Sequence, residues 1–172
     1  MAHRRLDPDA LGDHVDRLYR AAWALCGRRE DAEDLVQDTY ARVLAKPRLL
    51  RSDDDLAYLL RVLRNTHVSR LRSAARRPVS ERPLHDADAA TDPHDASEPE
   101  LVLGARELFD VIAALPPAQR DVLVAVDVAG LSYREAGRAL RVKEATITTR
   151  LHRARAAVAE QLREPLLARY CA

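Results

Sequence analysis

The chain has 172 residues, room for one domain of ordinary size or two small ones, and its 28 Lys and Arg stand almost level with its 27 Asp and Glu. Two cysteines, Cys26 and Cys171, are too few for a disulfide framework and lack CxxC spacing, so neither a stapled fold nor a thiolate zinc site is indicated. No apolar run approaches the ~18 residues of a membrane span and no signal-like segment opens the chain, so the expectation is a soluble, cytoplasmic protein without membrane insertion.

The near-neutral sum hides a division. Residues 80 to 100 carry one basic and seven acidic side chains, while the segments on either side are net basic. Apart from Lys46 and Lys143 every one of the 28 cations is Arg, which suits bidentate phosphate and guanine contacts and which a GC-rich genome would also produce.

Residues 1 to 12 are polar and read as a flexible, frayed N-terminus. From Asp13 the spacing of Val15, Leu18, Tyr19, Ala22 and Cys26 is helical and stops at Gly27, a C-cap. A second helix runs from about Glu30 to Ala45, with Ala32, Leu35, Val36, Thr39 or Tyr40, and Val43 inward. Its outer face carries Glu30, Asp31, Asp34, Gln37 and Asp38. Acids in the first turn suit the helix dipole, but this run continues past it and leaves room for a partner with a basic surface.

Lys46 to Asp53, with Pro47, reads as a loop, and Ser52 with Asp55 caps a third helix that extends to about Ala75. Leu56, Leu60, Leu63, His67 and Leu71 share its buried side, His67 as a packed histidine rather than a ligand. Tyr58, Arg61, Asn65, Ser69 and Arg72 line the other side. A ring, an amide and several Arg in one stripe, ending in Arg76 and Arg77, supply the stacking, base-edge reading and charge that single-stranded or distorted nucleic acid needs. A solvated face would use the same residues.

Residues 78 to 99, broken by Pro78, Pro83, Pro93 and Pro99 and rich in Asp and Ala, read as an acidic, flexible linker. It contains His85, Asp86, Asp88, Asp92, His94 and Asp95, but with no helix or strand to fix their geometry no metal site is expected. Helical periodicity resumes at Glu100 with Leu101, Leu108, Val111, Ile112 and Leu115. Pro116 and Pro117 close that helix and open another, apolar at Val122, Leu123, Val126 and Val128, which ends at Gly130.

Ser132 to Leu140 forms a short helix with a Ser132/Glu135 capping box and small residues Ala136, Gly137 and Ala139 where helices must cross closely. After a turn of Arg141, Val142 and Lys143, a longer helix begins near Glu144. This is a helix-turn-helix, whose second helix enters the DNA major groove. Ile147, Leu151, Ala154 and Val158 face the core. The opposite face shows Ala145, Thr146, Thr149, His152 and Arg153, flanked by Thr148, Arg150 and Arg155, and such small, hydroxyl and Arg side chains approach base edges and phosphates closely. The expected fold is all-α: two small helical domains, residues 13–77 and 100–164, joined by the flexible acidic linker 78–99 and followed by a tail, 165–172.

Two segments resemble a known family. LYRAAWALCGRREDAEDLVQDTYARVL (18–44) with AYLLRVLRNTHVSRLRSAARRP (57–78) resembles region 2 of the extracytoplasmic-function (group 4) sigma factors of bacterial RNA polymerase. ALPPAQRDVLVAVDVAGLSYREAGRALRVKEATITTRLHRARAAV (114–158) resembles their region 4. The resemblance implies a promoter-specificity subunit, not itself a catalyst and needing no cofactor or metal, that binds core polymerase and directs it to the −35 and −10 promoter elements. By analogy Asp31, Asp34, Gln37 and Asp38 would dock on the clamp helices of the largest polymerase subunit. The loop from Lys46 to Asp55, with Arg61, Arg64 and Asn65, would capture a flipped −10 base on the surface that also carries Tyr58, Ser69 and Arg72. The rear domain would sit on the polymerase flap and read the −35 element through Thr146, Thr148, Thr149, Arg150, His152 and Arg153. The linker would thread polymerase channels that otherwise hold nucleic acid, and an anti-sigma factor would cover both domains.

Arg141 and Lys143 stand where the family commonly has Gly and Ser, Thr148 where it has Lys or Arg, and Gly137 where it has Ala, the last costing up to about 1 kcal/mol of helix propensity. These departures bear on promoter sequence and affinity rather than on class. The competing readings are a helix-turn-helix regulator acting independently of core polymerase, which leaves residues 18 to 78 unexplained, and a metal-dependent hydrolase built on the linker's His and Asp.

Overall fold

The computed structural model describes residues 4–5, 9–45, 49–50, 55–76 and 99–170, with side-chain environments over 11–45, 55–76 and 104–163. The linker, except Pro99, and most of the loop after residue 45 therefore lie outside the described residues. Among the described residues seven α-helices follow in order: α1 Val15–Cys26, α2 Arg29–Ala45, α3 Asp55–Arg76, α4 Pro99–Ala114, α5 Pro117–Leu123, α6 Tyr133–Leu140 and α7 Glu144–Tyr170. The only extended pairing among the described residues is a two-residue antiparallel ladder, Arg4–Arg5 against Leu49–Leu50.

In the front half, α1 stops at Gly27, whose φ of 73° lets its N–H reach back to Trp23 O at 2.8 Å. The chain then reverses into α2, and α3 packs across both. Leu18 and Leu25 of α1, Leu35 of α2, and Leu59 and Leu63 of α3 are sealed from water. Thr39 is fully buried because its hydroxyl donates to Leu35 O at 2.7 Å, so the polar atom is satisfied within its own helix.

Four sequence expectations change here. Of the supposed frayed end, Asp9–His14 form a 3-10 helix. Leu11 inserts into the core there, and its carbonyl accepts a hydrogen bond from Tyr40 Oη at 3.0 Å. Leu71, expected inward, is 51% exposed because α3 runs on past its neighbours and leaves residues 71 to 76 in solvent. Val15, expected inward, is 41% exposed in the first turn of α1. In the rear half, α7 does not stop near residue 164 but continues to Tyr170.

Pro116 ends α4 and Pro117 takes the first turn of α5, where the missing N–H is no loss. Past Leu123 the helix widens into a π-turn over Val124–Val128, closed by Leu131 N donating to Ala125 O at 3.0 Å with Gly130 at φ 76°. Ser132 then caps α6. Its Oγ accepts from Glu135 N, and the Glu135 carboxylate accepts from Ser132 N at 2.8 Å and Oγ at 2.6 Å. These bonds from Ser132 hold the Glu135 carboxyl below the usual range. Ser132→Ala is expected to cost about 1 kcal/mol, read as a lower urea midpoint with an unchanged m value.

The two helical domains do not stand apart. Trp23 of α1 meets Phe109 of α4 with ring centroids 4.7 Å apart, and α6 lies along α3. A Cβ at Gly27 would come within 3.1 Å of Ala113 Cβ, so the glycine that caps α1 also lets α4 approach. Between them Arg64 Nε of α3 meets Asp121 Oδ2 of α5 at 2.5 Å, with Asp121 buried. The core is consequently one continuous apolar cluster across both domains. Sequence periodicity identifies inward faces but not which inward faces meet, and here Phe109 and Trp23 join two cores that the pattern left separate.

Candidate nucleic-acid interface

Ile147, Leu151 and Ala154 are buried against the rest of the rear half, which fixes the roll of α7 and turns Thr148, Thr149, His152 and Arg153 to solvent. Thr146 and Arg150 lie half-buried on the edges of that face. Thr148 Oγ1 donates to Glu144 O at 3.2 Å and Thr149 Oγ1 to Ala145 O at 3.0 Å. Arg153 is exposed on that face, and among the described residues no acidic side chain pairs with it.

Arg155 behaves differently from its neighbours. Its Nε and Nη2 clasp both carboxylate oxygens of Asp127 on the π-turn at 2.9 and 2.6 Å, and that bonding holds its pKa well above the ordinary Arg value. The clamp fixes α7 against the preceding element. No local pattern announces it, since Asp127 precedes Arg155 by 28 positions and lies on the π-turn.

The helix-turn-helix turn carries its own strain. Arg141 adopts φ 58°, a left-handed conformation that costs a side-chain-bearing residue roughly 1–2 kcal/mol. Gly137 is explained by proximity: a Cβ there would lie 3.0 Å from the carbonyl oxygen of Val142, whose N–H donates to Gly137 O at 3.0 Å. Arg134, Arg138, Arg141 and Lys143 gather around the open cleft beside this turn, a cationic shoulder at the start of the exposed α7 face.

On α3, Asn65, Ser69 and Arg72 are exposed, and Arg61 stacks over Tyr58 with its Cζ 5.4 Å from the ring centroid. Five of the six residues expected there share a surface, while Arg64 is turned to Asp121. On α2, Asp31, Asp34 and Gln37 are exposed. Asp38 is half-buried, gripped by Arg70 Nε at 3.1 Å and Nη2 at 2.6 Å, with Nη2 also donating to Asp34 O at 2.9 Å. Arg70, which lay on neither stripe of the sequence reading, thus shapes the acidic face from the neighbouring helix.

His67 lies beneath these surfaces with Nδ1 3.7 Å from Cys26 Sγ, and its buried Nε2 has no hydrogen-bond partner. Burial, reinforced by Asp31, pushes the Cys26 thiol up to about 11. Burial first, then Arg120 and Arg70, pull the imidazole down to about 4, with Asp121 and Asp31 opposing. The unfolded chain therefore binds a proton at His67 between pH 6.5 and about 4 that the folded chain refuses, so stability is full above 6.5 and falls as pH drops through that window. Thermal melts at pH 7.5 and 5 are expected to show a fall in midpoint that is smaller in His67→Gln.

Among the described residues no cluster of three or more His, Cys, Asp or Glu is placed to hold a metal, and no helix is long and apolar enough to cross a membrane. The linker's His and Asp lie outside the described residues.

Residues 11–77 match the family described as Sigma-70 region 2, and residues 105–158 match Sigma-70, region 4. The extracytoplasmic-function RNA polymerase sigma factor SigM of Mycobacterium tuberculosis is 31% identical over 176 residues, spanning 93% of this chain and 86% of its own length. The chain belongs to the extracytoplasmic-function sigma factors. The RNA polymerase sigma-E factor of Streptomyces coelicolor is 35% identical over 90% of this chain and 82% of its own. SigE of Mycolicibacterium smegmatis is 36% identical over 92% of this chain, which spans 60% of that relative's length. Among solved structures, the sigma factor RpoE of Bartonella quintana, seen in complex with the anti-sigma factor NepR, superposes with a TM-score of 0.71 at 25% identity, covering 90% of this chain and 95% of RpoE. CnrH, bound to the cytosolic domain of CnrY, shares the fold with a TM-score of 0.63 at 24% identity, over 91% of this chain and 86% of its own. The sigma factor's two matched regions coincide with its front and rear helical domains, the all-α arrangement of the family.

Proposed function

We propose that this sigma factor binds core RNA polymerase through the exposed acids of α2 and directs it to promoters through α3 and α7, acting as a specificity subunit rather than a catalyst. The observation that carries this is the orientation of α7: its apolar stripe is buried, so Thr148, Thr149, His152 and Arg153 project together where a major groove can receive them. On this reading they face the −35 element, with Thr146 and Arg150 on the margins. Tyr58, Arg61, Asn65, Ser69 and Arg72 face the opened −10 strand, with Arg64 joining them when it is released.

Asp31, Asp34 and Gln37 form the polymerase contact, and Asp38 supports it through Arg70. The front domain spans residues 13–77, the rear domain 100–164 and the linker 78–99. The work is cytoplasmic because the polymerase is there. An anti-sigma factor that covers both domains is a fitting partner, since RpoE, similar over nearly its whole length, is bound by one.

The test is run-off transcription with reconstituted core polymerase on genomic fragments, together with co-migration of the chain and the core enzyme. Specific transcripts that require the chain are expected. Tight binding to a duplex operator by the chain alone, with no co-migration, would instead establish the polymerase-independent regulator.

A further inference from the structure

We propose that Asp127 and Arg155 are positioning residues for promoter reading: their clamp sets the fine roll of α7 about its own axis, and with it which base edges Thr148, Thr149, His152 and Arg153 meet. This rests on the assignment of α7 to the −35 element. Arg155 itself stands off the duplex, because its guanidinium is held by protein rather than offered to phosphate.

The buried stripe chooses which side of α7 faces inward, but apolar packing is non-directional and the stripe narrows to Ala154 at its end. Beyond it Ala157 and Val158 are only half-buried, and Ala159, Glu160 and Gln161 are exposed. Arg155 stands on the flank between stripe and reading face, one residue past Ala154 and three past His152. There two of its N–H groups engage both Asp127 oxygens, at 2.9 and 2.6 Å, a paired geometry that is lost if either partner turns. Asp127 belongs to the π-turn, whereas α7 packs chiefly on α4, α5 and α6, so the clamp ties the helix to a further element. The hydroxyl of Tyr133, the first residue of α6, acts on the same guanidinium and brings the other helix of the helix-turn-helix into the joint.

Magnitudes separate this role from a stabilising one. Both residues are exposed, and an exposed ion pair contributes little to folding stability. Reading is far more sensitive: side-chain tips lie about 5–6 Å from a helix axis, so a roll of about 10° carries them roughly 1 Å, twice the ~0.5 Å within which a binding group must be held. The experiment reconstitutes core polymerase with the full chain. It measures binding to a fluorescein-labelled dependent promoter, taken from the run-off screen, and to its single-base −35 variants across a salt series, with thermal melts of each chain alongside. Asp127→Asn removes the carboxylate and leaves α7 unaltered. It is expected to move the melting midpoint by no more than about 3 °C and to shrink the discrimination between the promoter and its −35 variants about tenfold. Arg155→Gln is expected to do the same with an unchanged salt dependence. The exchange Asp127→Arg with Arg155→Asp re-forms the pair with its charges reversed and is expected to restore discrimination, although α7 then carries an acid at that position.

Were Arg155 a direct phosphate contact, Asp127→Asn would strengthen every promoter alike by freeing the guanidinium. Arg155→Gln would then weaken all of them alike, with a salt slope shallower by about one unit. That pattern overturns the proposal, as does a loss of discrimination that the exchange fails to restore. The wild-type chain separates the two claims. Wild-type binding indifferent to −35 substitutions sinks the assignment of α7 and the positioning role with it, whereas wild-type discrimination that Asp127→Asn keeps in full sinks the positioning role alone.

Discussion

Leu151→Ala is expected to remove about 3–5 kcal/mol of stability, the range for a fully buried leucine whose cavity cannot collapse. Leu151 is 1% exposed, between Ile147 at 0% and Ala154 at 0%, so there is no solvent path by which the void could be relieved. Against a total of about 5–15 kcal/mol for a domain, the loss is large enough to leave much of the rear half unfolded near 37 °C. Because the two domains share one apolar cluster, the damage is expected to reach the Trp23–Phe109 contact. Urea titration followed by far-ultraviolet circular dichroism and by Trp23 emission checks both. Two coincident, lowered midpoints are expected, whereas a wild-type emission midpoint would show that the domains unfold independently.

Arg153→Ala is expected to leave that stability unchanged within about 0.5 kcal/mol, because its side chain is exposed. Run-off transcription from a dependent promoter, by contrast, is expected to fall about tenfold to a hundredfold, the effect of losing 1–3 kcal/mol of base or phosphate contact. The partition between the two contact types is legible in the data. If Arg153 reads a base, single substitutions at one −35 position lose their effect in the variant. If it holds a phosphate, all promoters weaken together and the salt dependence becomes shallower by about one unit. Co-migration with core polymerase is expected to persist, since the acids on α2 are untouched.

Much of this molecule could be read from the chain because its local signals agree. Gly27, Pro116, Pro117, Gly130 and the Ser132/Glu135 box punctuate the helices where the backbone requires it, and the 3.6-residue stripes of α2 and α7 point inward as expected. The exposed faces of α2, α3 and α7 follow from those inward faces by geometry alone. Pairings over long sequence distances were not legible: Arg64 with Asp121, Arg70 with Asp38, and Arg155 with Asp127. Each joins residues 28 to 57 positions apart, and no local pattern distinguishes a cation that will find a carboxylate from one that stays free. Leu11 was not legible because the few apolar residues of the polar N-terminal stretch, Leu6 and Leu11 among them, carry no helical period.

The hydroxyls of Thr148 and Thr149 spend their protons on the carbonyls of Glu144 and Ala145. What each then offers outward is a lone pair and a methyl group. A helix so equipped is poorly suited to the acceptor edge of guanine and well matched to the exocyclic amines of adenine and cytosine and to the thymine methyl. On the proposed reading of α7 as the −35 reader, lysine or arginine at position 148 would favour the opposite bases, and threonine there would tilt the sequence preference toward amine-bearing and methylated edges.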